Sequence, residues 1–186
     1  MRKLTAGLFI AADGVVESPE QWHFPYFDEE MGAAVGARFA EADTVLLGRV
    51  TYDSFADAWP GREGARGEEG EMAKALGEAR KIVVSRSELE FTWRNSEQLK
   101  GDLIEAVTAL KQENGGPIGM SGSISVVRAL LAAGLIDELY LLVHPIAVGR
   151  GARLFEEGVD PIPLKLLSSE AFASGVLHTV YGPAGA

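Results

Sequence analysis

The chain contains no cysteine. This absence excludes disulfide bonds, thiolate zinc sites, iron–sulfur clusters and cysteine nucleophiles. The three histidines, His23, His144 and His178, lack metal-ligand spacing, so we predict no metal site and assign them structural or surface roles. A chain without cysteine fits a reducing compartment, and no apolar run approaches the roughly 18–20 residues of a membrane span. We therefore predict a cytoplasmic protein that does not bind membranes.

Basic residues are too few for a nucleic-acid-binding protein. Lysine and arginine number 17 against 27 acidic residues, and the formal net charge is −10. A protein that binds DNA or RNA needs a basic face, so we predict a small-molecule ligand, with individual arginines available for its phosphates. At 186 residues the chain is most simply one domain, covering positions 1–186.

Strand and helix signals alternate along the chain. Asp28 and Asp102 are placed to cap two helices, and Gly32 and Gly36 are spaced to let the first helix pack closely against a sheet. The predicted strands cover residues 3–11, 44–47, 81–85, 91–96, 117–120 and 136–143, a hairpin covers 164–172 and 176–181, and a short helix covers 71–77. We predict an α/β fold in which helices flank a mostly parallel sheet that ends in an antiparallel hairpin.

Three of the predicted strands end in similar clusters of glycine, hydroxyl and arginine residues. The clusters are Gly48-Arg49-Val50-Thr51, Ser85-Arg86-Ser87 and Ser121-Gly122-Ser123. Ligands of open parallel sheets bind at the carboxyl ends of the strands, and helix N-termini favour anions. The shared placement predicts a ligand with several phosphates, although each cluster taken alone also fits an ordinary turn.

Other nucleotide and catalytic motifs are incomplete. Gly149-Arg150-Gly151 reproduces only the first half of the dinucleotide fingerprint G-x-G-x-x-G, and residues 119–123 resemble a nucleophile elbow without its final glycine. Phosphoryl and acyl transfer therefore have little support.

The chain resembles the dihydrofolate reductase-like superfamily, most closely the reductase domain of the bifunctional riboflavin-biosynthesis deaminase–reductase as a stand-alone protein. The resemblance covers almost the whole chain. It depends on the segments 11–14, 20–22, 42–51, 82–86 and 121–123, and above all on 131–140 followed by Pro145, Gly149-Arg150-Gly151 and Leu154-Phe155. The zinc-binding cysteines of the deaminase half are absent, so only a reductive step is implied.

This resemblance implies an NADPH-dependent reductase and assigns parts of the cofactor to named residues. Ala11 and Ala12 would line the nicotinamide, and Ser85 and Arg86 would bind the ribose 2′-phosphate. The pyrophosphate region would be contacted by Gly48, Arg49 and Thr51. Further phosphate contacts would come from the start of a helix, at Gly122, Ser123 and Ile124. The resemblance also implies a homodimer, for which strand 139–143 and the terminal hairpin are the candidate buried edges.

The substrate side of the site is less clearly indicated. We expect Asp13 to relay a proton or orient the substrate, with a turn-forming Asp-Gly as the alternative. Trp22 and His23 either wall the substrate pocket or anchor their loop. Folate reductases carry an acid on the first helix, but the corresponding segment, Met31-Gly32-Ala33, has none.

The expected function is therefore hydride transfer to a small heterocyclic substrate, as in 5-amino-6-(5-phosphoribosylamino)uracil reductase. One alternative is a dihydrofolate or other pteridine reductase. An alternative of another class is a nucleotide-binding protein without turnover.

Overall fold

A computed structural model describes residues 1–185 and contains one eight-stranded sheet flanked by five α-helices. The strand order is β4-β3-β2-β5-β1-β6-β8-β7; β8 runs antiparallel to β6 and β7, and the other neighbours are parallel. The strands are β1 Leu4–Ala11, β2 Thr44–Gly48, β3 Arg80–Val84, β4 Ser96–Gln98, β5 Ile118–Met120, β6 Glu138–His144, β7 Leu164–Ala171 and β8 Leu177–Pro183. The helices are α1 Glu29–Glu41, α2 Arg49–Ala58, α3 Glu68–Glu78, α4 Leu103–Gln112 and α5 Ile124–Ala132. The predicted fold class is confirmed.

Strand β1 lies at the centre of the sheet because apolar side chains cover both of its faces. Leu4, Ala6, Leu8 and Ile10 belong to one core cluster, which also includes residues of α4 and α5. On the opposite face Phe9 packs with buried residues of α1 and β6. Burial on both faces explains why the strand is a nearly continuous apolar run without strict alternation.

The predicted N-caps of two helices are confirmed. Asp28 Oδ1 accepts a hydrogen bond of 2.9 Å from the Met31 N–H, and Asp102 Oδ1 accepts bonds from Ile104 and Glu105. These carboxylates satisfy donors that have no partner within their helix.

The strand predicted at residues 91–96 is wrong, because β4 covers only Ser96–Gln98. The aromatic residues that suggested a strand are core anchors in a loop. Trp93 is buried beside Tyr52, and the Tyr52 hydroxyl accepts a hydrogen bond from the backbone N–H of Trp93. Phe91 packs edge-on against the Tyr52 ring. Helix α3 also begins at Glu68, three residues before the predicted start.

The predicted close packing of Gly32 and Gly36 against the sheet is also wrong. A Cβ added at Gly36 would meet nothing within 4 Å, and one added at Gly32 would approach side chains of Glu68 and Phe27. The close approach occurs at Gly7 of β1, where an added Cβ would lie 2.6 Å from Arg38 Nε. None of the helices formed by residues 1–185 is long and apolar enough to cross a membrane.

Candidate active site

The loops after β2 and β5 meet at the carboxyl edge of the sheet. The Gly48 N–H donates a hydrogen bond of 3.1 Å to Gly122 O. A Cβ added at Gly48 would lie 2.8 Å from Ser123 N, and one added at Gly122 would lie 2.7 Å from Thr51 Oγ1. We call Gly48, Thr51, Gly122 and Ser123 the strand-end cluster; its two glycines are required because side chains would separate the loops.

Two helices begin at the strand-end cluster. Gly48 is the N-cap of α2 and Ser123 is the N-cap of α5, and neither helix has a side-chain hydrogen bond to its N-cap turn among the described residues. The predicted contact residues Arg49 and Ile124 are the first residues of these helices. The first-turn N–H groups of both helices are therefore available to an anion, and both helix dipoles favour one.

Arg49 connects the start of α2 to the loop after β3. Its Nη1 donates a hydrogen bond of 2.9 Å to Ser87 Oγ, and its Nε lies 3.6 Å from the Asp53 carboxylate. Ser85 Oγ accepts a hydrogen bond from the Ser87 N–H, which closes a tight turn around Arg86. All three of the predicted phosphate-facing clusters therefore lie along one edge of the sheet.

Arg86 is exposed at the tip of this turn. Within residues 1–185 its side chain forms no hydrogen bond or ion pair, so its guanidinium is available to a ligand. A guanidinium can bind a phosphate through two parallel hydrogen bonds.

The predicted nicotinamide-lining residues lie at the end of β1, next to the end of β6. Ala11 is buried and Ala12 is exposed. The Ala12 N–H donates to the carbonyl oxygens of His144 and Ile146, at 3.1 and 2.9 Å. These bonds fix the loop after β1 to the end of β6, where the backbone of Ala12 remains accessible.

Two carboxylates of the loop after β1 hold the Gly149-Arg150-Gly151 turn. Asp13 Oδ2 accepts a hydrogen bond of 2.7 Å from Gly149 N, and Glu17 Oε2 accepts one of 2.7 Å from Ala152 N. The Gly149 N–H lowers the pKa of Asp13, so this carboxyl is ionised at neutral pH. Its other oxygen, Oδ1, is buried and has no hydrogen-bond partner among the described residues.

Trp22 and His23 are both buried behind this loop. Trp22 Nε1 donates to Glu17 O at 3.1 Å. The His23 ring stacks on Phe9 with a centroid separation of 4.5 Å and an interplanar angle of 11°, and Phe24 lies on its other side at 4.2 Å. These contacts anchor the loop, and the Trp22 side chain also lines the adjacent cleft.

His144, to which the sequence assigned only a structural or surface role, also lies in this region. It is fully buried, with its ring edge-on to Trp22 at 5.2 Å and to His23 at 6.2 Å. Its Nδ1 lies 2.7 Å from Leu142 O, and its Nε2 has no partner within residues 1–185. The sequence signal for a place in the site was the position of His144 at the end of an apolar strand. In the structure the parallel pairing of β6 with β1 sets His144 beside Ala11.

A cleft of about 420 Å³ opens beside these residues. Its lining residues are Gln21, Trp22, Ile146, Ala147, Val148, Gly149 and Arg150. Arg150 is the one cationic side chain among them, whereas Arg153 does not line the cleft. This cleft is the candidate substrate site because it adjoins the end of β1.

A larger cleft of about 680 Å³ lies at the opposite, amino edge of the sheet. Its charged groups are engaged with one another: Arg2 pairs with Asp43, and Arg80 pairs with Glu97 and Glu113. Paired charges of this kind stabilise a surface without offering free groups to a ligand, so size alone does not identify the functional cleft.

A family model and two proteins of Bacillus subtilis match this chain over nearly its whole length. The family model described as RibD C-terminal domain matches residues 2–178. The YyaP protein of Bacillus subtilis strain 168 is 29% identical over 181 residues, which cover 97% of this chain and 94% of that protein. The YwjB protein of the same strain is 24% identical over 186 residues, covering 96% of this chain and 98% of YwjB.

Solved structures share the fold over nearly the whole chain. A putative riboflavin biosynthesis protein from Shewanella sp. PV-4 has a TM-score of 0.76 at 18% identity, covering 98% of this chain and 99% of its own. A pyrimidine reductase-like protein from Corynebacterium diphtheriae has a TM-score of 0.72 at 15% identity, covering 100% and 93%. Dihydrofolate reductase from Enterococcus faecalis, complexed with NADP(H) and RAB-propyl, has a TM-score of 0.63 at 17% identity, covering 98% and 97%.

The buried histidines predict a loss of stability in mild acid. Burial lowers the pKa of His144 and of His23, and for His23 the neighbouring His144 adds to the shift. Below about pH 6.5 the unfolded chain takes up protons that the folded chain does not, so the free energy of unfolding falls as the pH falls. His144→Asn keeps a donor for Leu142 O but removes this titration. The free energy of unfolding is measured with urea at pH 7.5 and at pH 5.5. Between these two pH values the variant should lose up to about 1.4 kcal/mol less of it than the parent.

The comparison uses the change with pH, so any constant cost of the substitution cancels. Equal losses in the parent and in His144→Asn over this interval would show that His144 takes up its proton as readily in the folded state as in the unfolded chain.

Proposed function

This chain belongs to the RibD C-terminal domain family, and we propose that it is an NADPH-dependent reductase acting on a small heterocyclic substrate. The reaction would resemble that of 5-amino-6-(5-phosphoribosylamino)uracil reductase, with a hydride transferred to a C=N or C=O bond. The observation that carries the proposal is the strand-end cluster, where two helices without side-chain caps begin side by side.

The strand-end cluster fits the phosphates of a dinucleotide. Because a Cβ at Gly48 or Gly122 would collide with the facing loop, both glycines let the two loops touch and so bring the starts of α2 and α5 together. Thr51 and Ser123 add hydroxyl groups, and Arg49 adds a cation at the start of α2. On the neighbouring loop Arg86 is free to bind a 2′-phosphate, the group that distinguishes NADPH from NADH.

The bound cofactor would supply the hydride, and the protein would align it with the substrate. The Ala12 backbone at the end of β1 would face the nicotinamide, with the cleft beside Trp22 receiving the substrate. Arg150 would neutralise one negative charge on that substrate.

The structure disfavours the pteridine reductase alternative. Met31, in the segment where folate reductases carry an acid, is fully buried against Leu142, Phe172 and Val176. The nearby acids of α1 are used in the fold: Asp28 caps the helix, and Glu30 Oε2 accepts a hydrogen bond of 2.7 Å from Ala173 N. Neither Asp28 nor Glu30 is thus left to polarise a pterin.

Of the two roles considered for Asp13, its ionised state favours orienting the substrate. An ionised carboxylate has no proton to donate, whereas its Oδ2 holds Gly149, which lines the substrate cleft. Asp13→Asn should therefore lower kcat by less than tenfold and leave the pH dependence of kcat/KM unchanged. The measurement is the decrease in nicotinamide absorbance with the phosphoribosylaminouracil substrate.

Glu17→Gln is the matched control for Asp13→Asn, because Glu17 holds the same turn through Ala152. A loss of 100-fold or more in kcat for Asp13→Asn alone, with one limb of the pH profile removed, would assign proton transfer to Asp13 instead.

Arg86→Ala should weaken NADPH binding about tenfold or more and leave NADH binding nearly unchanged, because a charge-assisted phosphate contact is worth roughly 1.5–3 kcal/mol. Titration calorimetry with both cofactors makes the measurement. Lys165→Ala removes the same charge from β7, at the other end of the sheet, and should change neither affinity. Equal losses for the two cofactors would refute the role of Arg86, and parent protein that binds neither cofactor would refute the reductase proposal.

We also propose that the protein is a homodimer joined through the terminal hairpin. Strand β7 is an edge strand, and Leu166 and Leu167 are 51% and 50% exposed on it. An apolar open edge favours pairing with a second strand. Light scattering should give twice the chain mass, and Leu167→Lys should shift it to the monomer mass. A monomeric parent protein at micromolar concentration would contradict the proposal.

A further inference from the structure

Arg38 of α1 is a partly buried cation without an acidic partner among the described residues. Its guanidinium lies against Gly7 of β1, where any side chain would displace it. No carboxylate among residues 1–185 comes within ion-pair distance of it. Burial lowers the pKa of Arg38 to about 10, which leaves it charged at neutral pH. Buried charges are usually paired, so an unpaired one calls for another explanation.

The hydrogen bonds of Arg38 point to that explanation. Nη1 donates to Met120 O at 3.0 Å, and Nη2 donates to Ser121 Oγ at 3.1 Å. Met120 is the last residue of β5, and Ser121 directly precedes the two members of the strand-end cluster contributed by that loop. The positive charge therefore lies behind the loop that faces the proposed cofactor phosphates.

The Ser121 hydroxyl transmits this charge. Because its oxygen accepts a bond from the guanidinium, its own proton remains free for another acceptor. A hydroxyl that accepts from a cation is a stronger donor, since hydrogen bonds in a chain polarise one another. Arg38 and Ser121 are thereby linked in one chain of hydrogen-bond donors. Neither is among the residues assigned above to contact the cofactor.

We propose that Arg38 is a positioning residue that holds Ser121 and the loop 121–123 for a phosphate of the cofactor, and that its unneutralised charge strengthens phosphate binding there. This inference rests on the proposed function. The chain carries a net charge of −10, so a phosphate ligand gains from a local cation. Arg49, at the start of α2, already shares its charge with Asp53, whereas Arg38 has no carboxylate partner among the described residues.

The experiment separates the charge of Arg38 from its packing. Arg38→Gln retains hydrogen-bonding capacity without charge, Arg38→Lys retains charge without the forked donor, and Ser121→Ala removes the hydroxyl. Arg2→Met is the control, because Arg2 is a buried arginine that is also bonded to a backbone carbonyl, but at the opposite edge of the sheet. NADPH affinity is measured by calorimetry, with folding checked by circular dichroism and thermal unfolding without ligand.

The expected result is a loss of NADPH affinity of about tenfold for Arg38→Gln and for Ser121→Ala. Arg38→Lys should stay within about threefold of the parent, and Arg2→Met should bind normally even if its melting temperature falls. If Arg38→Gln does not fold, the lysine and Ser121→Ala variants decide the question.

Two outcomes would overturn the inference while leaving the reductase proposal intact. One is NADPH binding within twofold of the parent in both Arg38→Gln and Ser121→Ala. The other is an Arg38→Lys loss as large as that of Arg38→Gln, since charge would then make no difference. A parent protein that fails to bind NADPH would instead overturn the proposed function itself, and this inference with it.

Discussion

The contact between Gly48 and Ser123 is the constraint on which the candidate site depends. Strands β2 and β5 are neighbours, and their loops can touch only because Gly48 has no side chain and its N–H reaches Gly122 O. That contact places the starts of α2 and α5 next to each other. Two helix dipoles then act on one point, which is a stronger attraction for anions than either helix provides alone.

The same edge of the sheet contains a second region built on different physics. Around the end of β1, apolar and aromatic packing fixes the loop: Trp22 and His23 are buried, and His144 lies edge-on between them and the strand. Two carboxylates, Asp13 and Glu17, then attach the distant Gly149–Gly151 turn through backbone N–H groups. Under the proposed function, polar groups of one region would bind the cofactor phosphates, and a rigid apolar wall would support the substrate cleft in the other.

Helix α1 links the two regions. Its N-terminal acids are bonded to backbone: Asp28 caps the helix, and Glu30 reaches the hairpin turn at Ala173. Farther along, Arg38 lies against Gly7 and reaches the end of β5. The segment of this helix where folate reductases carry an acid, Met31-Gly32-Ala33, has none, while a partly buried cation lies near the other end of the helix. This distribution of charge favours an anionic ligand beside β5.

Much of the architecture could be read from local patterns along the chain. The alternation of apolar runs with capped helices predicted the α/β sheet, since periodicity and capping act within a few residues. The three polar clusters could be assigned to one edge because parallel strands align their carboxyl ends. The strand at 91–96 was wrong because Trp93 is buried by contact with Tyr52, some forty residues away, and not by pairing in the sheet.

Long-range contacts account for the features that local patterns missed. The glycine that allows close approach between α1 and the sheet is Gly7 on the strand, since the side chain it accommodates belongs to Arg38. His144 joins the aromatic cluster only through the register of β6 on β1. Helix caps and apolar periodicity are properties of short segments and can be read from the sequence. The burial of a charge or a ring depends instead on which distant segments fold against it.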